Sequence, residues 1–343
     1  MAFQPAIMSI SLGRGWIHDF DNKMTQAAKV GFRGIELFIE DLENLAGKIP
    51  GDESTEPTSD QLLQAAKHAR ATCDSNGLTI ITLQPFLFYD GLKDRVQHAR
   101  LLEKAKLWFR IAGILGTSMI QVSANFLPAD QLTADRDIIA SDLRELANLG
   151  AQENPPIRFA YENLCWSTHI TTWQDLWDIV CRVDRPNFGM VLDGFNIAGR
   201  VWADPTSPTG KTPNADVDLK KSLEELVRTV DPIKVFYFQL ADAERLEKPL
   251  LEDHPFHVPT QPPRMSWSRN AWVFPYEVER GGYLPIEDVT KAVIQGLGYK
   301  GYVSLELFSR TMVETGEHVP AEHAQRGMRS WKKLVDRLGL DST

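Results

Sequence analysis

Four oxygen-bearing side chains stand at the ends of short apolar runs in the second half of the chain. Glu162 closes FAYE, Asp193 closes MVLD, Gln239 follows VFYF, and Glu306 interrupts VSLELF. A carboxylate withdrawn from water is costly unless something neutralises it, so apolar runs that stop at acids need a reason. If the four ends share one rim, a single divalent cation supplies that reason. An all-oxygen donor set suits Mg²⁺ or Mn²⁺ better than the softer transition metals. The plainer alternative, that each acid opens a loop and caps the next helix, accounts for one strand end better than for four in succession.

Those ends can meet only if the runs are parallel neighbours. Short β-rich apolar runs fall at residues 7–12, 34–38, 78–84, 119–123, 157–162, 188–193, 234–240 and 301–308. Segments with helical apolar spacing lie between and after them, at 22–30, 58–76, 95–115, 134–150, 172–183, 217–230, 286–297 and 321–338. Ser59 and Asp60 can cap the second helix, and Gly77 and Gly116 follow helix ends where positive φ is expected. Eight strand-then-helix units predict a single (β/α)8 TIM barrel spanning 1–343, whose chemistry sits at the C-terminal ends of the strands. An open doubly wound sheet is the rival. It lacks a phosphate loop here, because SLGRG after the first run is out of frame for GxGxxG. Polar stretches at 51–59 and 202–216 read as insertions. So does a long segment at about 241–283, rich in Pro, aromatic and Arg residues, which is expected to be an active-site loop.

Composition narrows the partners. The chain has 343 residues, 43% hydrophobic and 24% charged, which suffices for a large core. A net charge of −9 without a Lys/Arg cluster argues against nucleic acid, yet a small anionic substrate needs only one or two placed cations. Cys73, Cys165 and Cys181 show no CxxC spacing, so neither a disulfide framework nor a zinc site is expected. The first residues lack a leader pattern and no apolar run is long enough for a membrane, so a cytoplasmic protein is expected. Association into oligomers is left open.

The strings YENLCWSTH, VLDGFNIAGRVWADP, RMSWSRNAW and GYVSLELFSR resemble the fungal 3-dehydroshikimate dehydratases of quinate catabolism, within the sugar phosphate isomerase/epimerase-like barrel superfamily. GIELFIEDL, LQPFLFYDGL, ANFLPA and NPPIRFAYE extend the resemblance over nearly the whole chain. It implies a lyase that converts 3-dehydroshikimate to protocatechuate by loss of water. It also implies metal ligation by Glu162, Asp193, Gln239 and Glu306, with Gln239 where many sugar epimerases carry His. One position departs from the family pattern: Trp272, after Ala271, stands where an Arg follows the SRN string and a small residue.

That reaction needs a base and an acid. His169, seven residues past Glu162, is the first candidate, since an imidazole near neutral pH can do either task. His254 and His257 in the long segment are alternatives, and Glu162 or Glu306 could exchange the protons directly. Gln84 and Asn196 are candidates for ring hydroxyls, and Arg200 and Arg269 for a substrate carboxylate. Ser268 can add a hydrogen bond. Trp166, Trp267, Trp272 and Phe274 could shield the site, with Trp272 also placed to touch substrate. Two other readings remain open: a metal-dependent sugar or polyol epimerase or isomerase, and a catalytically impaired homologue that keeps the metal cage.

Overall fold

The computed structural model describes residues 3–50 and 56–340. Strands β1 (Gln4–Met8), β2 (Gly34–Phe38), β3 (Thr79–Phe86), β4 (Met119–Ser123), β5 (Arg158–Glu162), β6 (Phe188–Asp193), β7 (Val235–Leu240) and β10 (Tyr302–Leu305) form one closed parallel barrel. Its order is β1-β10-β7-β6-β5-β4-β3-β2, so each strand pairs with its sequence neighbour in the barrel and the last closes on the first. The strands are buried on both faces, which is why they read as unbroken apolar runs and not as alternating ones. Ala6, Ile81, Met119, Ala160, Val191 and Tyr237 fill the barrel interior. A second and larger apolar layer lies between the strands and the surrounding helices.

The helices are α1 (Phe20–Val30), α2 (Ile39–Gly47), α3 (Ser59–Ser75), α4 (Arg95–Leu115), α5 (Arg136–Gly150) and α6 (Trp173–Val183), followed by α7 (Gly194–Val201), α8 (Ala215–Thr229), α9 (Pro263–Ala271), α10 (Ile286–Lys291) and α11 (Val319–Leu338). Gly77 and Gly116 take φ of 67° and 74°, as their positions after helix ends require. The cap of α3 differs from expectation. Thr58 takes that place, accepting from Gln61 N while Gln61 returns a bond to Thr58 N, so Ser59 and Asp60 fall inside the first turn. The segment expected as one helix over 286–297 is α10 followed by a π-helical turn at Ala292–Gly296. Helices α2, α7 and α9 were not expected. The polar stretch 51–59 lies partly outside the described residues.

The long segment after β7 is not a bare loop. It contains α9 and a two-stranded antiparallel ribbon of β8 (Asp242–Ala243) and β9 (Trp272–Val273). Both of its ends are tied to one carboxylate: Asp242 Oδ1 accepts from the backbone N–H of Ala243, Tyr283 and Leu284. Buried Arg326 on α11 grips Glu277 with two bonds of 2.7 and 2.8 Å. Arg264 donates to the carbonyls of Gly199 and Ala203, and Trp272 N donates to Phe308 O. These bonds set α9 over the C-terminal mouth of the barrel. The three cysteines are free, and among the described residues no helix is long and apolar enough to cross a membrane.

Candidate active site

Register places the polar side chains. Asp193 pairs with Gln239 across β6 and β7, Gln239 with Ser304 across β7 and β10, and Met8 with Glu36 across β1 and β2. Glu36, Glu162, Asp193, Gln239 and Glu306 thus gather in the barrel mouth, each no more than 5% exposed. Amide groups separate the acids. Asn196 Nδ2 donates to Glu162 Oε1 at 3.0 Å and to Asp193 Oδ2 at 2.6 Å, and Gln121 Nε2 donates to the other oxygen of Glu162. Gln84 Nε2 donates to Glu36 Oε2 at 2.7 Å and reaches Glu306 Oε1 at 3.3 Å; Gln239 Nε2 donates to the same two oxygens at 2.9 and 2.7 Å.

Among the described residues no Lys, Arg or His forms an ion pair with any of the four acids. Burial, the largest cause, pushes Glu36 and Asp193 up to about 7 and Glu162 and Glu306 well above the carboxylate range. The charges of Asp193 and Glu36 raise Glu162 further, and those of Glu36, Glu162 and Asp193 raise Glu306. Four buried acids without a counter-cation must either hold protons or meet a cation. Among the described residues no three Asp, Glu, His or Cys side chains converge as a closed metal cage. The oxygens are turned onto amide donors instead, as mutual repulsion demands. The donor set nevertheless fits a hard cation: three buried carboxylates share the mouth with Gln239, whose Oε1 is buried with no partner among the described residues.

A cavity of about 160 Å³ opens above the acids. Glu162, Glu306, Gln84 and Ser123 form its polar part, Phe38, Phe126, Trp166, Trp272 and Phe308 its aromatic walls, and Ser268 and Arg269 reach it from α9. The Arg269 guanidinium lies 5.8 Å from the Trp166 ring and, among the described residues, has no hydrogen-bond or ion-pair partner.

The model of the xylose isomerase-like TIM barrel family matches residues 24–334. The chain belongs to that family. It is 53% identical over 340 residues to the 3-dehydroshikimate dehydratase of Neurospora crassa, covering 98% of this chain and 94% of that one. A 3-dehydroshikimate dehydratase of Pseudomonas aeruginosa is 29% identical over 289 residues, which are 84% of this chain and 36% of its own. A solved xylose isomerase-like TIM barrel/4-hydroxyphenylpyruvate dioxygenase fusion protein superposes with a TM-score of 0.72 at 24% identity, covering 98% of this chain and 43% of that chain.

On this xylose isomerase-like barrel the residues expected to form the site separate into two groups. Glu162, Asp193, Gln239 and Glu306 come together, and Gln84, Ser268, Arg269 and Trp272 line the cavity. His169 does not. It turns into a separate cavity of about 10 Å³ lined by Asp90, Asn125 and Thr133, with Nε2 buried and unpartnered. Burial and the Lys93 charge lower its pKa. Arg200 is exposed at the end of α7, away from the cavity. Asn196 is buried, and its donors serve Glu162 and Asp193 while its Oδ1 accepts from Cys165 N. It holds the acids in place, with both amide hydrogens committed to them and its oxygen already accepting once. Neither His254 nor His257 lines the cavity, and the indole N–H of Trp267 is used on Glu244 O. Glu36 was missed, although a lone acid between Ile35 and Leu37 in a buried strand was its signal.

Proposed function

We propose that this protein is a 3-dehydroshikimate dehydratase, a lyase that removes water from 3-dehydroshikimate to give protocatechuate. The observation that carries the reading is the 53% identity to the Neurospora enzyme along almost the full length of both chains. The cavity is consistent with it, combining two acids, aromatic walls and the Arg269 cation, which has no partner among the described residues.

A divalent cation, Mg²⁺ or Mn²⁺ by its donor chemistry, would be held by Glu162, Asp193, Gln239 and Glu306 and would supply Lewis-acid stabilisation of negative charge on the C3 oxygen. The protein side chains do the rest. Arg269 takes the substrate carboxylate, the aromatic walls bracket the ring, and the free amide oxygen of Gln84 accepts from a ring hydroxyl. With His169 turned away, Glu162 and Glu306 are the carboxyl groups within the cavity able to move protons. One removes the C4 proton, which the C3 ketone acidifies. The other gives a proton to the C5 hydroxyl, which departs as water. The dienone then loses a C6 proton and gains one on the C3 oxygen, and aromaticity makes that step strongly downhill.

The test is an incubation of purified protein with Mn²⁺ and 3-dehydroshikimate, followed in the near ultraviolet, where the aromatic product absorbs. Growth of that absorbance is expected, with a loss of at least about 100-fold in Glu162→Gln and in Glu306→Gln. Substrate consumed without an aromatic product would indicate an epimerase or isomerase. Binding without any turnover would indicate the impaired homologue.

A further inference from the structure

Gln239 is the one neutral member of the proposed ligand set, and an amide can ligate a cation only through its oxygen. Its nitrogen end is chemically wrong for the task, and the two ends have nearly the same size and shape. Something must choose between them. The Gln239 Nε2 carries two hydrogens, and both are taken by carboxylate oxygens: Glu36 Oε2 at 2.9 Å and Glu306 Oε1 at 2.7 Å. Both carboxyl oxygens accept in this arrangement, so the nitrogen is the end that faces these two groups. The oxygen is thereby directed elsewhere, where it is buried and unpartnered.

The two acceptors are not equivalent. Glu306 lines the cavity and belongs to the proposed ligand set, so its oxygens are shared with the ion. Glu36 is fully buried, does not line the cavity, and also receives Gln84 Nε2 at 2.7 Å. We infer that Glu36 is a positioning residue for the metal site: by accepting from the Gln239 amide it holds the Gln239 oxygen toward the ion, while touching neither ion nor substrate. This rests on the proposed metal site but not on the identity of the substrate. It assigns a role to an acid whose burial otherwise has no cation to offset it.

The test compares Glu36→Met and Glu36→Gln in the full chain, with Mn²⁺ alone as the probe. Free Mn²⁺ is read by electron paramagnetic resonance, and the thermal midpoint of the metal-free protein is measured in parallel. Methionine keeps the length but removes the acceptor; glutamine removes the charge but keeps an acceptor oxygen. Glu36→Met is expected to weaken Mn²⁺ binding about 10- to 100-fold, the usual effect of losing a partner that orients a metal ligand. Its metal-free midpoint should stay close to that of wild type, since the acceptor lost by the buried Gln84 and Gln239 amides is offset by removal of an uncompensated buried carboxylate. Glu36→Gln should bind within about 3-fold of wild type, a small fraction of the loss expected for methionine.

Wild-type affinity in Glu36→Met overturns the inference. Equal loss in both variants overturns it too, because charge and not orientation would then be what Glu36 supplies. Failure of both variants to fold makes Glu36 a determinant of the fold and also rejects the assignment. Failure of the wild-type protein to bind Mn²⁺ or Mg²⁺ at all is a different result, which removes the underlying metal site.

Discussion

At the scale of single residues the deciding question is which groups still have unused bonding capacity. Arg269 has no partner among the described residues, whereas both amide hydrogens of Asn196 are spent on Glu162 and Asp193. Sequence proximity to a strand end could not separate them, because direction along a loop and partners already taken are three-dimensional facts. His169 illustrates the same limit: seven residues after Glu162, it faces Asp90 and Asn125 instead of the acids. The four proposed ligands were legible because strand ends in a barrel share a rim, while Glu36 hid in a strand read only as core. Trp272 is 4% exposed and packs against Phe195 and Phe308 at centroid distances of 4.5 and 5.1 Å. A guanidinium at that position would enter an aromatic box. Arg269→Met is therefore expected to raise KM for 3-dehydroshikimate about 10- to 100-fold with a smaller change in kcat, the loss of one charge-assisted bond. Trp272→Arg should bring no gain and lower the thermal midpoint. A faster Trp272→Arg enzyme, or an Arg269→Met enzyme with unchanged KM, would move the carboxylate anchor away from Arg269.

Elements were readable in proportion to their length and regularity. Residues 95–115 and 119–123 form α4 and β4 with the expected bounds, since a long amphipathic period and a short β-branched run are local signals. Helices α2 and α7 are nine and eight residues long and follow strand ends directly, too short to display a clear period. The segment at 241–283 was visible as an insertion, but its ribbon and its helix α9 depend on distant partners that no local pattern encodes. Asp242 is the most economical of these, one buried carboxylate serving three backbone donors at both ends of the segment. Asp242→Ala would leave those N–H groups without their acceptor, at a cost of about 1–3 kcal/mol. Limited proteolysis should then cut within 243–283, and KM should rise because α9 carries Ser268 and Arg269 to the cavity. Asp242→Asn, which keeps an acceptor oxygen, should behave much more like wild type. Equal protease resistance in Asp242→Ala and wild type would show that the Glu277–Arg326 pair and the Arg264 contacts hold the segment by themselves.

For the whole molecule the buried acids couple stability to pH and to the metal. Burial raises Glu36, Asp90, Asp193 and Asp242 to about 7, and Glu162 and Glu306 are raised as well. In the unfolded chain these groups titrate near about 4, so between about 4 and 7 the folded state binds more protons than the unfolded one. Their contribution is fully present below the unfolded pKa and is lost as pH rises through the folded one. The metal-free protein should therefore lose thermal stability between pH 5 and pH 8, opposite to a protein whose carboxylates are held by salt bridges. A divalent cation acts in the other sense, since it binds the deprotonated acids and its hold strengthens as protons leave. Adding Mn²⁺ should raise the thermal midpoint little at pH 5 and strongly at pH 8, because stabilisation by a ligand grows with its concentration relative to Kd, and Kd falls as the acids deprotonate. Scanning calorimetry of chelator-treated protein, with and without Mn²⁺ at both pH values, checks the pair of trends. A midpoint that climbs with pH in the absence of metal would mean that the acids are already compensated inside the fold. A Mn²⁺ effect equal at both pH values would place the ion away from Glu162, Asp193 and Glu306.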